Sequence, residues 1–266
     1  MLGMFAMLSR PPSTFRFSES VEFMENARPA GFIITLLYVI TIFSIRYFLR
    51  NRKPFQLTTP LALWNLGLGI FSGVGFCVVG HETLVDIYHN GFDSAFCNPL
   101  ETNILNGWSG WYQVLFVWSK VIELGDTIFI VLRKRPLIFL HWYHHIFTLN
   151  YCIWSYETMK GVHLYIGLIN FAIHSFMYSY FFCRAAQFHV PSWFAKCLTM
   201  AQITQFFLSI SAQFYAYYLY LKWDCKQATH FPTFYICLFM ELSFVGLFSR
   251  FFYLSYISSL KKEKHH

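Results

Sequence analysis

The sequence is short of charge. Only 12% of its 266 residues are Asp, Glu, Lys or Arg, against about 25% in soluble chains, too few to cover a water-facing surface. Its seven cysteines show no metal-type pair spacing, and there is no internal repeat and no low-complexity tract. A disulfide-stapled secreted module, a zinc module and a scaffold of biased composition are therefore excluded. Apolar bulk is what the chain has in excess: 56% hydrophobic residues, with 32 Phe, 17 Tyr and 8 Trp. That much hydrophobicity excludes disorder and places the chain in a membrane. A net charge of +7 is too dilute to bind nucleic acid, and no nucleic-acid partner is expected.

A hydrocarbon core about 30 Å thick needs about 20 mostly apolar residues as a helix. Seven such runs are found: Ala30 to Leu49, Leu61 to Val79, Trp111 to Leu132, Leu137 to Ser155, His163 to Cys183, Lys196 to Leu221 and Phe231 to Tyr256. The expected fold is an all-α integral membrane protein of seven transmembrane helices. Residues 1–29 are expected to precede the first span, 30–256 to form the helical domain, and 257–266 to be a basic tail. The stretch from Met1 to Met24 lacks the layout of a cleavable signal, because Pro11, Pro12 and three acids follow a short apolar run.

Topology follows from the Lys and Arg bias. One side collects Arg46 through Lys53, Arg133 to Arg135, Arg184, Lys196, Arg250, Lys261, Lys262 and Lys264, 13 basic residues with one acid; the other holds six basic residues and nine acids. Gly80 to Gly110 has no Lys or Arg, yet carries Glu82, Asp86, Asp93 and Glu101. The N-terminus is expected outside or in a lumen, the C-terminus in the cytosol. Five cysteines fall within spans or at their ends. Cys97 and Cys225 are left in non-cytosolic loops, where an oxidising lumen allows a disulfide between them. The lysines near the end resemble the dilysine signal that returns membrane proteins to the endoplasmic reticulum.

Charges and polar groups inside a membrane are expensive, so their positions are informative. Lys120, Glu123, Asp126 and Thr127 fall within about a third of the circumference of one helix. His141, His144 and His145 are spaced i, i+3 and i+4 and share a face of the next. Asn170, His174, Met177 and Tyr178 form a stripe on the fifth span, and Gln202 and Gln205 lie three apart on the sixth. Counting about 1.5 Å per residue from the cytosolic ends puts Asp126, His144, His174, Gln202 and Gln205 at one level, about 9 to 15 Å deep, with Lys120 deeper than the rest. One shared polar chamber is expected. Clustered imidazoles serve either as metal ligands or as a nucleophile and base that act near neutral pH. Four intramembrane histidines fall short of the about eight that a di-iron desaturase or hydroxylase resembles, and no metal is expected.

The segments KVIELGDTIFIVLRKRPLIFLHWYHH, NFAIHSFMYSYFF and AQITQ, with LWNLGLGIFS before them, together resemble the very-long-chain fatty acid elongases, the ELO-type 3-ketoacyl-CoA synthases of the endoplasmic reticulum. The wording ELGDTIFI and FLHWYHH is most similar to the branch acting on saturated and monounsaturated chains of palmitate length. The resemblance implies condensation of an acyl-CoA with malonyl-CoA to 3-ketoacyl-CoA, CO2 and CoA, with no cofactor. It also implies a closed apolar tunnel for the acyl chain and a multi-pass protein of the endoplasmic reticulum. The partners it implies are acyl-CoA, malonyl-CoA, membrane lipid, a second copy in a homodimer and other enzymes of the elongation cycle.

On that reading His144 is expected as the nucleophile that takes the acyl group, His174 as base or enolate stabiliser, and His141 and His145 as orienting residues. Glu123 and Asp126 tune the histidines. Lys120, Asn170, Met177, Tyr178, Gln202 and Gln205 bind substrate, with Arg133 and Lys134 at the cytosolic end. The alternatives are a histidine-box desaturase or hydroxylase, and a non-enzymatic seven-helix receptor or transporter.

Overall fold

In hydrocarbon a backbone amide finds no water, so an apolar chain satisfies its N–H and C=O groups within helices. The computed structural model describes residues 11–99, 104–158, 160–226 and 228–258, and among them there is no strand. The long helices are α1 (Phe17–Phe48), α2 (Thr58–Asn90), α3 (Gly107–Leu132), α4 (Phe139–Thr158), α5 (Lys160–Ala185), α6 (Ser192–Trp223) and α7 (Phe231–Phe252), the last running on into a π-helical turn at Tyr253–Ile257.

Two helices outrun the apolar stretches that predict them. The first begins at Phe17 rather than near Ala30 and continues through Pro29. Its early turns are held by Phe17 stacked on Tyr156 and by Ser20 Oγ at 2.6 Å from the Tyr156 hydroxyl. The second runs on to Asn90, where Asp86 accepts hydrogen bonds from Asn90 and Ser94. Tertiary contacts extend a helix beyond its lipid-facing part, which an apolar-run count does not register. The expected dilysine tail, Lys261, Lys262 and Lys264, lies outside the described residues.

Six helices close a ring. In order round it, α2 packs on α5, α5 on α6, α6 on α7, α7 on α4, α4 on α3, and α3 returns to α2; α1 leans from outside on α3 and α4. Apolar side chains gain little from leaving lipid for one another, so helix contacts here rest on close packing. Where α2 meets α5, a Cβ on Gly75 would stand 2.7 Å from the Phe171 ring, so only glycine admits that ring. Outside the ring, Phe32, Leu36 and Ile40 on α1, Ile70 on α2, Phe207 on α6 and Phe239 on α7 are each more than half exposed. An apolar belt of that size does not belong in water. Among the described residues four helices, α1, α2, α5 and α7 with its π turn, are long and apolar enough to cross a membrane; the protein is a multi-pass membrane protein. In α3 and α4, the charged residues and histidines break up the apolar composition.

At the end where α4 meets α5, Cys97 and Cys225 are joined by a disulfide that ties the α2–α3 connection to the α6–α7 loop across 128 residues of sequence. Phe96 beside it stacks on Tyr165 at 4.5 Å. Cross-links that close long loops restrict the unfolded chain most. Cys97→Ser is expected to lower stability by about 2–4 kcal/mol. The check is thermal unfolding in detergent, where reductant should lower the transition of the parent protein and leave that of the variant in place.

Candidate active site

The polar face of α3 is buried against polar side chains of neighbouring helices. Lys120 and Glu123 are each 3% exposed. The Lys120 ammonium donates to Glu123 Oε1 at 2.8 Å and to Asn170 Oδ1 on α5, also at 2.8 Å. Ser119 Oγ donates to the same Glu123 oxygen at 3.0 Å. His174 Nδ1 stands 3.7 Å from it, near enough for attraction and too far for a hydrogen bond. One turn on, Asp126 accepts from Trp64 Nε1 of α2 at 2.6 Å and from the Tyr178 hydroxyl of α5 at 2.8 Å. Gly125 permits the first of these contacts, since a Cβ there would lie 2.6 Å from the Trp64 ring. The hydroxyl of Thr127 turns away to Tyr38 on α1, at 2.6 Å.

Beside this face lies a cavity of about 630 Å³, walled by residues from α2 to α7 and none from α1. His141, His144 and His145 of α4 reach it, and so do His174, Met177 and Tyr178 of α5, Glu123 and Asp126 of α3, and Gln202 and Gln205 of α6. His145 packs between His141 and His144, with ring centroids 4.6 and 5.6 Å away. His144 lies 4.8 Å from the Phe244 ring of α7. Gln202 Nε2 approaches Met177 Sδ at 3.3 Å. Helical spacing on α4 and α5 turns these side chains inward, and the ring closure brings the two helices' histidines to one space. Among the described residues, no three His, Cys, Asp or Glu side chains converge as metal ligands would.

Three expected substrate-binding residues stand elsewhere. Lys120 and Asn170 lie behind the wall, each engaged by the other, because a buried ammonium needs its donors filled. Lys134 is turned outward at a φ of 52° and donates to the carbonyls of Arg50 and Arg52 at 3.0 and 2.9 Å, fastening the α1–α2 connection. Arg133 lines the cavity together with Arg135 and Arg184, the last two visible in the sequence as members of the basic side. Trp64 and Asn65, which touch or line the site, carry no signal beyond their place in LWNLGLGIFS.

Comparison with known proteins gives this geometry a family. A model described as ELO: GNS1/SUR4 family matches residues 23–264. The chain belongs to the ELO family. Long chain fatty acid elongase 1 of Caenorhabditis elegans is 36% identical over 98% of this chain and 90% of its own length. Very long chain fatty acid elongase 6 of Mus musculus is 37% identical over 93% of this chain and 92% of its own, and the Homo sapiens protein of the same name is 36% identical over 93% and 92%. In this ELO chain the buried ion pair makes its own prediction. Lys120→Ala strands the Glu123 carboxylate and is expected to cost about 3–5 kcal/mol. Lys120→Met combined with Glu123→Gln removes both charges and is expected to recover a large part of that loss, read as thermal unfolding in detergent.

Proposed function

We propose that the chamber between α3, α4, α5 and α6 is where an acyl-CoA and malonyl-CoA are joined. The chain is a fatty acid elongase, an acyltransferase of the 3-ketoacyl-CoA synthase kind, as its family and its elongase relatives indicate. The observation that carries the site assignment is that three imidazoles of α4 and one of α5 open on a single cavity whose mouth holds three arginines. Guanidinium groups suit the phosphates of CoA, which stay in water while the acyl chain enters the bundle.

In the proposed sequence the His144 imidazole attacks the thioester carbonyl; the acyl group passes to nitrogen and CoA leaves as the thiol. Malonyl-CoA then loses CO2, and the electron pair left on its α-carbon attacks the acyl carbonyl. The imidazole nitrogen is expelled, taking one proton from water in place of the one that left with the CoA thiol, and 3-ketoacyl-CoA is released. The reading gives His174 the developing enolate, with Glu123 beside its Nδ1. His141 and His145 hold the orientation of His144, and Asp126 fixes Tyr178 at the wall. Met177, Gln202 and Gln205 are left as substrate contacts. No redox or metal cofactor enters these steps.

The same proposal takes all seven helices as spans, since α3, α4 and α6 stand in one ring with the four apolar ones. It sets the arginine mouth in the cytosol, the N-terminus and the Cys97–Cys225 disulfide in the lumen, and the protein in the endoplasmic reticulum. The acyl chain runs in an apolar tunnel from the chamber toward the lumen. Saturated and monounsaturated chains of palmitate length are the proposed substrates, and a second copy of the chain and the later enzymes of the cycle are the proposed partners. His144→Ala and His174→Ala are each expected to lower condensation by at least about 10²-fold, measured in microsomes as labelled malonyl-CoA entering 3-ketoacyl product at matched protein level. A normal rate for His144→Ala overturns the assignment.

A further inference from the structure

A second cavity, of about 470 Å³, lies at the opposite end of the bundle from the histidines, between α1, the end of α4, the start of α5, the α6–α7 loop and the start of α7. Its polar half is basic. Arg28, Lys160 and Lys226 reach it from three separate elements, together with His230 and a single carboxylate, Glu157. Arg28 Nη2 donates to Glu157 at 3.1 Å, and its guanidinium lies 5.2 Å from the Trp154 ring. Lys226 stands 3.5 Å from Asp224, both side chains largely exposed. Two buried polar atoms of the wall residues, Arg28 Nε and Thr229 Oγ1, have no hydrogen-bond partner among the described residues.

The other half is apolar. Trp154 and Ile236 line it, 38% and 53% exposed. Phe32, 54% exposed, meets the Trp154 edge at 6.2 Å and continues that surface along α1. The disulfide at Cys225 fixes the start of the loop that carries Lys226, Thr229 and His230.

A cationic recess continuous with a lipid-facing apolar strip has the chemistry of an anionic amphiphile. We propose that this cavity binds the phosphate headgroup of an anionic glycerophospholipid, with the acyl chains lying along Trp154, Ile236 and Phe32. Lys160 and Lys226 take the phosphate, and Arg28, bound to Glu157 and set over Trp154, forms the boundary between headgroup and chains. A soluble phosphate has no use for the apolar half, which selects the lipid. The proposal is independent of the condensing chemistry at the other end.

The test places the purified full-length protein in phosphatidylcholine nanodiscs containing a photoactivatable phosphatidylserine and maps the cross-linked peptides. Cross-links are expected on the segments around Trp154 and Ile236. Unmodified phosphatidylserine should compete them away, whereas extra phosphatidylcholine or inorganic phosphate should not. Lys160→Gln with Lys226→Gln should reduce them at least about tenfold, and Lys226→Gln alone, at an exposed position that carries little risk to folding, about fivefold. Cross-links near Arg46 to Lys53 should persist in both variants and serve as the control for a folded protein. Cross-linking at the cavity that is unchanged in the variants overturns the proposal. Competition by phosphatidylcholine at equal strength removes the demand for negative charge, and competition by inorganic phosphate shows a free-anion site; either result also overturns it.

Discussion

An ionised group buried in a helix bundle must find a partner of opposite charge or full hydrogen bonding, and the Lys120 to Glu123 pair is where this protein meets that demand. The ammonium is bonded to a carboxylate on its own helix and to the Asn170 amide of α5, so the pair fixes how α3 faces α5. His174 on α5 is thereby brought beside Glu123, and Asp126 one turn along is met by Tyr178 of the same helix. Charges that would be costly singly instead register two helices and give the chamber its wall. The arrangement is shielded from lipid because α2 and α4 complete the ring on either side of α3.

Much of this can be read from residue spacing. Three histidines at i, i+3 and i+4 share a face of any helix, and polar groups at one depth on four spans have few places to go other than a common interior. The spacing does not say which polar groups face the cavity and which lie behind it. Lys120 shares the α3 stripe with Asp126, yet only Asp126 lines the space, because the ammonium is drawn sideways to Asn170. Lys134 sits between two chamber arginines in sequence, and its left-handed backbone turns it out to the carbonyls of Arg50 and Arg52. Such outcomes depend on a neighbour from a distant helix. Trp64 is hidden from the sequence for the same reason, since an indole in an apolar run reveals nothing about the carboxylate it will meet.

The helix ends tell a related story. Apolar runs mark the part of each helix that lipid touches, so the limit of α3 at Leu132 is read closely. The extra turns of α1 and α2 are stabilised by protein contacts at the disulfide-linked end. The two ends of the molecule thus differ in kind. One is an open, arginine-rimmed mouth over histidines, and the other is a cross-linked, aromatic-packed cap with a basic recess at its flank.

The claim that the imidazole chamber forms and consumes an acyl-enzyme is tested most directly by chemistry without the second substrate. The intact protein, incubated with an isotope-labelled acyl-CoA and no malonyl-CoA, is digested and its adducts mapped. The account predicts one acyl group on a histidine of α4, with release of free CoA, and loss of that label as 3-ketoacyl product once malonyl-CoA is added. Label confined to a cysteine, or full condensing activity with no acylated histidine at any time, would contradict it.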